Sequence, residues 1–154
     1  MTCPTPKETT MTDCEKNPAL TSAFRIRDAI NSRKLDGLEE LFAEDFLDLT
    51  DPSGSPRGLE GYLQTLEYLS RTLGIHVEEE AIIETPDRII ARVTEHGRGI
   101  AAIHGEKADG RPYTIDAVHI FHTRGKLIVA HWGMRNTLDM LIQLGLIEPP
   151  PGRK

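Results

Sequence analysis

The segment YTIDAVHIFHTRGKLIVAHWGMRNTLDMLIQLG, residues 113–145, decides the fold of this chain. Within it, two apolar-rich runs at residues 115–123 and 126–134 flank a tight turn at Arg124 and Gly125. Both runs are rich in the β-branched and aromatic residues that favour strands, so the segment predicts a β-hairpin. Because both alternating faces of the hairpin are largely apolar, we expect other parts of the chain to cover it on both sides.

Alternation along the hairpin decides which side chains share a face. His119 and His131 fall on one face, and a turn at residues 124–125 places them nearly opposite each other, with Cβ atoms about 5 Å apart. Two facing imidazoles repel when both are protonated, which lowers one apparent pKa and leaves a neutral base. This pairing depends on the register, and a slip of one residue abolishes it. The residues predicted to share this face are Tyr113, Ile115, Ala117, His119 and Phe121 on the first strand and Leu127, Val129, His131, Gly133 and Arg135 on the second.

The length and charge of the chain restrict the classes of protein to which it can belong. Its 154 residues suit one domain, which would bury about two-thirds of its unfolded surface. The 24 acidic and 18 basic residues give a formal charge of -6, and the basic residues are scattered, which argues against nucleic acid as a partner. No run approaches the roughly 20 apolar residues of a membrane span, and the N-terminus lacks a secretory signal pattern. We therefore expect no membrane partner and a cytoplasmic location.

Helical periodicity covers the first half of the chain, where apolar residues recur at helical spacing in three stretches. Between the second and third stretches, residues 43–57 predict an irregular loop because Pro, Gly and Ser accumulate there. The predicted helices are one from Asn17 and Pro18 to Leu35, a short one over Leu38, Leu41 and Phe42 that Asp36 caps, and one from Leu59 to Leu73 that Gly74 ends.

Strand-like alternation replaces the helical period from residue 75 onward. Two strands, at residues 76–84 and 88–97, precede the hairpin, and a Gly-rich stretch connects them to it. Three helices followed by at least four mostly antiparallel strands is an α+β order. A curved sheet that wraps the helices would leave a conical cavity, open at one end. The predicted boundaries are a mobile leader at residues 1–17, one domain at 18–147 and an extended tail at 148–154.

This order of elements, together with the phrase GKLIVAHWGMRNTLDMLIQLG, resembles the SnoaL-like polyketide cyclase family of the nuclear-transport-factor-like superfold. The resemblance implies a conical α+β barrel, with N-terminal helices packed in a strongly curved, mostly antiparallel sheet. It also implies a small, cofactor-independent protein, usually a dimer or tetramer, with an apolar pocket for a polyketide-like substrate. Some members close a ring by an aldol reaction and others isomerise, dehydrate, hydroxylate or open epoxides, so the fold does not choose the reaction. The residues that carry the resemblance are Gly125, Lys126, Leu127, His131, Trp132, Gln143, Leu144 and Gly145.

The chain departs from the family at two acidic positions. In the ring-closing members an aspartate follows the His-Trp pair and acts as general acid and base, whereas this chain has Gly133 there. A second common aspartate, three residues later, is replaced by Asn136. Because asparagine cannot exchange a proton near neutral pH, the usual acid/base carboxylate is missing from its usual place.

His119 and His131 are the first candidates for the missing acid/base role. The family carries a pocket histidine at the position of His119, and an imidazole, with an ordinary pKa near 6.5, can exchange a proton at physiological pH. A positioned acid or base contributes typically about 100- to 10,000-fold to a rate. The alternative for both histidines is a structural role.

Other residues could support the chemistry or contact the substrate. Glu95 is the candidate replacement carboxylate, because it shares the apolar parity of its strand and burial would raise its pKa; the alternative places it at a solvated strand end. Arg135 could neutralise an enolate or a carboxylate, or it could form an ordinary salt bridge. The remaining candidates for substrate contact are Phe121, Tyr62, Asp48 and Asn136, with core packing as the alternative for Tyr62 and turn capping for Asp48.

We expect neither a metal nor a cofactor. His119 and His131 could supply two metal ligands, but the sequence offers no evident third inward His, Asp or Glu. Cys3 and Cys14 lie in a polar leader and fit neither a metal cluster nor a disulfide framework. No phosphate-cradling Gly-rich motif follows a strand and opens a helix, so no redox cofactor is implied.

Three functions follow from these residues. The first is a cyclase or isomerase in which His119 removes a proton α to a carbonyl, while His131, Arg135 or a water stabilises the enolate. The second is a pocket that holds its substrate in a reactive conformation for ring closure without acid/base work. The third is a non-catalytic protein of the same fold that binds a small molecule or serves as a dimerisation module, and a related hydrolase or dehydratase also stays open. The expected partners are a small apolar, polyketide-like molecule and a second copy of the chain.

Overall fold

The computed structural model describes residues 16–50 and 57–152. Apart from Lys16 and Asn17, the predicted leader lies outside these ranges. The strands of the described part are β1 (Phe42–Asp48), β2 (His76–Thr85), β3 (Arg88–Arg98), β4 (Pro112–Arg124) and β5 (Leu127–Arg135). The α-helices are α1 (Leu20–Ser32), α2 (Leu59–Glu67), α3 (Ala101–His104) and α4 (Thr137–Gln143), with short 3-10 turns at Leu38–Leu41 and Glu106–Ala108 and one π-helical turn at Tyr68–Thr72.

All five strands form one sheet in the order β1-β5-β4-β3-β2. Neighbouring strands are antiparallel except β1 and β5, which run parallel. The sheet is curled and not closed, because β1 and β2 remain separate edges, and α1 and α2 pack on its concave side. The α+β class predicted from the sequence is therefore confirmed. None of the helices in the described ranges is long and apolar enough to cross a bilayer.

Strand β1 replaces the first part of the loop that the sequence predicted for residues 43–57. Phe42, Phe46 and Asp48 are buried, while Glu44 and Asp45 between them are exposed. As an edge strand, β1 pairs only with β5, and its register with β5 shifts between Phe42 and Leu47. The irregular alternation and the acidic pair conceal this strand in the sequence, and the loop prediction was wrong there.

The short second helix is also different from its prediction. The turn at Leu38–Leu41 is a 3-10 turn, and Phe42 already belongs to β1. Gly37, with φ of 80°, precedes the turn, and no side chain caps it, so Asp36 is not the cap. A left-handed residue at this position suits glycine, which has no Cβ to collide with the backbone.

The hairpin of β4 and β5 is confirmed, but its register differs from the prediction by two residues. His119 lies opposite Gly133, and Phe121 lies opposite His131. A shift of two residues keeps each side chain on its face, whereas a shift of one would not. His119 and His131 are therefore diagonal neighbours on the concave face instead of a directly opposed pair.

Two features contribute to the shift: the turn lies at Gly125 and Lys126, since Arg124 pairs with Leu127, and β5 contains a bulge near it. Thr123 pairs with Ile128, whereas His122 pairs with Ala130, so Val129 is an extra residue on β5. A bulge of this kind reverses the alternation on one side of it. Ile128 is accordingly fully buried, and Leu127, which the sequence placed inward, is 37% exposed.

Two apolar clusters hold the helices on the sheet. The larger one lies between the sheet and α1 and α2, and the smaller one lies beneath α4. In the larger cluster the rings of Phe42 and Phe46 meet edge to face with centroids 4.9 Å apart, and Tyr62 packs on both. Each fully buried side chain of this size contributes about 1.5–3 kcal/mol. The smaller cluster consists of Ala108, Tyr113, Ile115, Met140 and Leu144.

Asn17 fastens the start of α1 to the sheet. Its side-chain oxygen accepts a hydrogen bond from the Ala19 amide, and its side-chain nitrogen donates to the Thr85 carbonyl and the Thr123 hydroxyl. The residue is buried, so the folded domain already includes the last residue of the predicted leader. At the other end, residues 148–152 belong to no helix or strand.

Candidate functional site

An open-mouthed cavity lies between α1 and the concave face of the sheet. Its empty volume, including the solvent at its mouth, is about 640 Å³. The wall is mostly apolar and includes Phe24, Ile30, Leu69, Val77, Val93 and Phe121. The polar side chains in the wall are Arg27, Glu79, Glu95, His119 and Arg135. A pocket of this kind, apolar with few polar groups, suits a small and largely apolar molecule.

His119 and His131 are in direct contact at the back of this cavity. Nδ1 of His119 lies 3.0 Å from Nε2 of His131, and the ring centroids are 5.2 Å apart. Gly133, opposite His119 on β5, leaves room for this contact. A Cβ at residue 133 would lie 2.8 Å from Nδ1 of His119 and 3.1 Å from Cε1 of His131. Gly133 is therefore the residue that lets the two imidazoles meet.

Asp48 holds His131 from the other side. The parallel pairing of β1 with β5 brings the two residues together, and Nδ1 of His131 lies 3.1 Å from Oδ1 of Asp48. Thr50 supports both, because its amide donates to Oδ1 of Asp48 and its hydroxyl oxygen accepts from the Gly133 amide. Burial by itself raises the pKa of the Asp48 carboxyl, but hydrogen bonds from His131 and Thr50 outweigh it and hold that pKa below its ordinary value. Asp48 is thus a buried anion.

The hydrogen-bond chain fixes the tautomers of both histidines. An ionised carboxylate only accepts hydrogen bonds, so Nδ1 of His131 carries the proton that faces Asp48. The Nε2 atom of a neutral His131 must then accept, which places the proton of the second hydrogen bond on Nδ1 of His119. Nε2 of His119 is left unprotonated, and the hydrogen bond of this ring within residues 16–50 and 57–152 is made by Nδ1 and not by Nε2.

The surroundings of His119 favour its neutral form. Burial lowers the pKa of the imidazole, the charges of His131 and Arg135 lower it further, and together they bring it to about 3. The nearby carboxylate of Asp48 acts in the opposite direction but more weakly. At physiological pH the cavity therefore presents a neutral imidazole whose free nitrogen is a proton acceptor.

Glu95 and Arg135 form a bidentate ion pair in the cavity wall. Nε and Nη2 of Arg135 donate to the two carboxylate oxygens of Glu95 at 2.6 and 2.9 Å. Burial by itself lowers the pKa of the Arg135 guanidinium, but the Glu95 carboxylate raises it above its ordinary value. Glu95 is 2% exposed, so the alternative that placed it at a solvated strand end is wrong.

The sequence profile of the SnoaL-like polyketide cyclase family matches residues 22–144. This range contains all five strands and all four α-helices, apart from the first residues of α1. The chain belongs to this family. A search of curated proteins finds no significant match.

Solved structures resemble this SnoaL-like protein over most of its length. Wild-type IdmH from Streptomyces antibioticus, described as "a putative polyketide cyclase", is 26% identical with a TM-score of 0.74, over 83% of this chain and 98% of that chain. AclR from Streptomyces galilaeus, described as "a putative hydroxylase", is 17% identical with a TM-score of 0.73, over 86% of this chain and 87% of that chain. TsrD from Streptomyces laurentii is 22% identical with a TM-score of 0.67, over 83% of this chain and 98% of that chain. AclR and TsrD therefore support the fold alone.

The other predicted contact residues of the SnoaL-like protein divide between the cavity and its surroundings. Phe121 lies in the cavity wall, with its ring centroid 5.2 Å from that of His131. Tyr62 is buried behind the wall and packs on His131 at 4.9 Å between centroids. Asn136 caps α4, where its side-chain oxygen accepts from the Asp139 amide at 3.2 Å, and it does not line the cavity.

A second ion pair in the wall has no counterpart among the predicted residues. Arg27 of α1 pairs with Glu79 of β2, and its guanidinium lies 5.1 Å from the ring centre of Phe24. In the sequence Glu79 stands in a run of three glutamates, which is typical of a solvated strand face. One signal was present, since Arg27 lies at helical spacing from the buried residues Ala23 and Ile30.

Asp48, His131 and His119 form one hydrogen-bonded chain. In the described ranges no group of three or more His, Cys, Asp and Glu side chains is arranged to hold a metal ion. Chemically, the arrangement offers an acceptor nitrogen at the cavity, a hydrogen-bonded path behind it and a buried anion at the end of that path.

Proposed function

We propose that this protein is a cofactor-independent cyclase or isomerase that moves a proton on a polyketide-like substrate. One observation carries the proposal: the unprotonated Nε2 of His119 takes no part in the hydrogen bond to His131, and the ring lines an apolar cavity. In the proposed reaction, this nitrogen removes a proton from a carbon next to a carbonyl. The proton then returns to an oxygen or carbon of the product, so no redox cofactor takes part.

Arg135 is the proposed partner of the developing negative charge. Its guanidinium lines the same cavity as His119, and Glu95 holds it in one orientation through two hydrogen bonds. A cation fixed before the reaction stabilises an enolate without reorganising, and it acts more strongly in a site that excludes water. The apolar wall, including Phe121, would hold the carbon skeleton of the substrate.

Hydrogen exchange tests the proposed base directly. A 3-oxoacyl N-acetylcysteamine thioester in deuterated buffer loses its α-proton signal when an enzyme forms the enolate. We expect wild-type protein to accelerate this loss and His119→Gln to reduce the rate on the order of 1,000-fold, within the range of general acid/base catalysis. His122→Gln is the matched control, because it makes the same change on the opposite face of β4. Equal exchange rates for wild-type protein and His119→Gln would contradict the assignment of His119.

A second candidate is a protein of the same fold that binds its ligand, or holds it for spontaneous closure, without moving protons. The observation in its favour is that both carboxylates of the cavity wall, Glu79 and Glu95, are already paired with arginine. Such a protein would return a ligand unchanged, or would show a rate that is flat between pH 5 and 8. Catalysed α-proton exchange separates it from the first candidate.

We also propose that two copies of the chain associate through the outer face of β4 and β5. On this face Val118 pairs with Met134 and Ile120 pairs with Trp132, and Met134 is 62% exposed. Light scattering would give twice the chain mass for wild-type protein and the chain mass for Met134→Asp. Ile83→Asp is the control, because Ile83 is 59% exposed on the distant edge strand β2. A monomeric wild-type protein would contradict this proposal.

A further inference from the structure

The proposed reaction uses His119 as its base and gives no role to the buried pair of Asp48 and His131 behind it. Neither residue of the pair lines the cavity, and both are buried. Even so, their hydrogen bonds of 3.1 Å and 3.0 Å connect in line to the one imidazole that does line it. A buried carboxylate is costly unless it is paired, and here the hydrogen bonds from His131 and Thr50 hold Asp48 as an anion directly behind the two histidines.

We propose that Asp48, His131 and His119 form a proton relay, in which His131 and not His119 holds the proton taken from the substrate. The inference deepens the proposed function and rests on it. His119 is the catalytic residue that touches the substrate, His131 is the proton store, and Asp48 is a positioning residue.

The relay moves two protons in the same direction: one from the substrate to His119 and one from His119 to His131. As the C–H bond of the substrate breaks, its electron pair stays on the substrate as an enolate, and Nε2 of His119 gains the proton. The proton on Nδ1 of His119 passes across the 3.0 Å hydrogen bond to Nε2 of His131. His119 ends neutral with its proton on Nε2, and His131 ends as an imidazolium. The reverse transfer delivers a proton from Nε2 of His119 to the product alkoxide or carbon.

The positions of the charges explain why the proton is held at His131. Nδ1 of His131 faces the carboxylate of Asp48 at 3.1 Å. His119, in contrast, experiences the positive charge of the Arg135 guanidinium. An imidazolium is stabilised beside an anion and destabilised beside a cation. The titratable or charged groups around the two histidines are Asp48 from β1, Tyr62 from α2, Glu95 from β3 and Arg135 from β5.

Gly133 is the position on which the relay depends. Any Cβ at this residue would lie 2.8 Å from the donor atom Nδ1 of His119, so the His119 ring would have to shift from its present position. Replacing the family's aspartate by glycine therefore removes one acid/base group and makes room for another, which consists of two imidazoles and a carboxylate.

Nitrogen-15 NMR of the histidine rings tests the relay without requiring turnover. At pH 7.5 we expect His119 and His131 both to carry their proton on Nδ1. On lowering the pH, His119 should stay neutral until the pH approaches about 3. A proton on Nε2 of His119 at pH 7.5 would overturn the relay.

The exchange assay supplies the matching kinetic test. We expect Asp48→Asn to lower kcat on the order of 100-fold, with KM changed by less than about twofold, because Asp48 does not touch the substrate. Asp45→Asn is the control, since it makes the same change at an exposed residue of β1. Wild-type kcat in Asp48→Asn would overturn the relay.

Two further measurements separate a failure of the relay from a failure of the proposed function or a variant that does not fold. Gly133→Ala should lower kcat as Asp48→Asn does, and it serves as the second variant if Asp48→Asn does not fold. Wild-type protein that has the expected tautomers but exchanges no α-proton would contradict the proposed function. Active wild-type protein with other tautomers would contradict only the relay.

Discussion

The segment of β5 from His131 to Arg135 carries the two charged arrangements of the cavity, one at each end of the segment, and they differ in what they can do with a proton. His131 and Arg135 lie four residues apart on the same face of the strand. At His131 the partners are an imidazole and a carboxylate, so a proton can move from one side chain to the next along these hydrogen bonds. At Arg135 the partner is Glu95, and both charges are fixed by a bidentate pair. One end of the segment is suited to moving protons and the other to stabilising charge.

Because of this difference, we expect neither Glu79 nor Glu95 to act as the base of the proposed reaction. A carboxylate that accepts two hydrogen bonds from a permanent cation is poorly available as a base, because protonating it would leave the guanidinium unpaired. Asp48, in contrast, faces a group that can itself gain a proton. The missing acid/base function is therefore best sought at the histidine end of this segment.

The largest effect is expected on breaking the Arg135 end. Arg135→Met leaves the carboxylate of Glu95 buried without its partner, which should lower the free energy of unfolding by about 3 kcal/mol or more. The double variant Arg135→Met with Glu95→Leu should regain most of this loss, because it removes both charges. Urea unfolding of the three proteins measures both effects. A double variant less stable than Arg135→Met would show that the pair does not act as a unit.

A smaller effect is expected in the pH dependence of stability at the histidine end. The pKa of His119 is about 3 in the folded chain, whereas the unfolded chain has the ordinary value of about 6.5. The unfolded state then binds more protons between pH 6.5 and 3, so the stability from the neutral imidazole is complete above pH 6.5 and declines as pH falls. Between pH 7 and 5 the decline is about 2 kcal/mol.

His119→Gln should remove this part of the pH dependence, because glutamine does not titrate. Urea unfolding at pH 7 and pH 5 should therefore show a smaller difference in the variant than in the wild type. His76→Gln, at an exposed histidine of β2, is the control and should keep the wild-type difference. If all three proteins lose the same stability, His119 is not held neutral by the fold.

The sequence predicted the hairpin that contains His131 and Arg135, but not all of the residues that these two side chains contact. Periodicity was sufficient for the hairpin and for the shared face of His119 and His131, because alternation depends only on local spacing. The register was wrong because the turn lies one residue further along the chain than predicted and the bulge at Val129 adds a residue, and periodicity indicates neither feature. His119 and His131 still share a face because the register of β4 and β5 shifted by an even number of residues.

Asp48 was assigned to a loop for a different reason. Its partnership with His131 requires β1 to pair in parallel with β5, across 83 residues of sequence. Nothing local to residues 43–50 indicates that pairing, since Glu44 and Asp45 interrupt the apolar pattern of β1. The ion pair of Arg27 and Glu79 was missed in the same way, because it joins α1 to β2 and Glu79 alone has the pattern of a solvated strand face.

The smallest effect is expected at Asn136, the residue that follows Arg135. Its side chain caps α4, so Asn136→Ala should lower the free energy of unfolding by about 1 kcal/mol. Asn136→Asp should keep the cap, since aspartate is an equally good N-cap residue.

The same aspartate variant tests whether the family's acid/base position can be restored. Because Asn136 does not line the cavity, Asn136→Asp should leave the α-proton exchange rate at the wild-type value. A rate that rises with Asn136→Asp would place a competent carboxylate at the arginine end of the segment and would remove the contrast between the two ends. An unchanged rate, together with the loss in His119→Gln, would assign proton transfer to the histidine end alone.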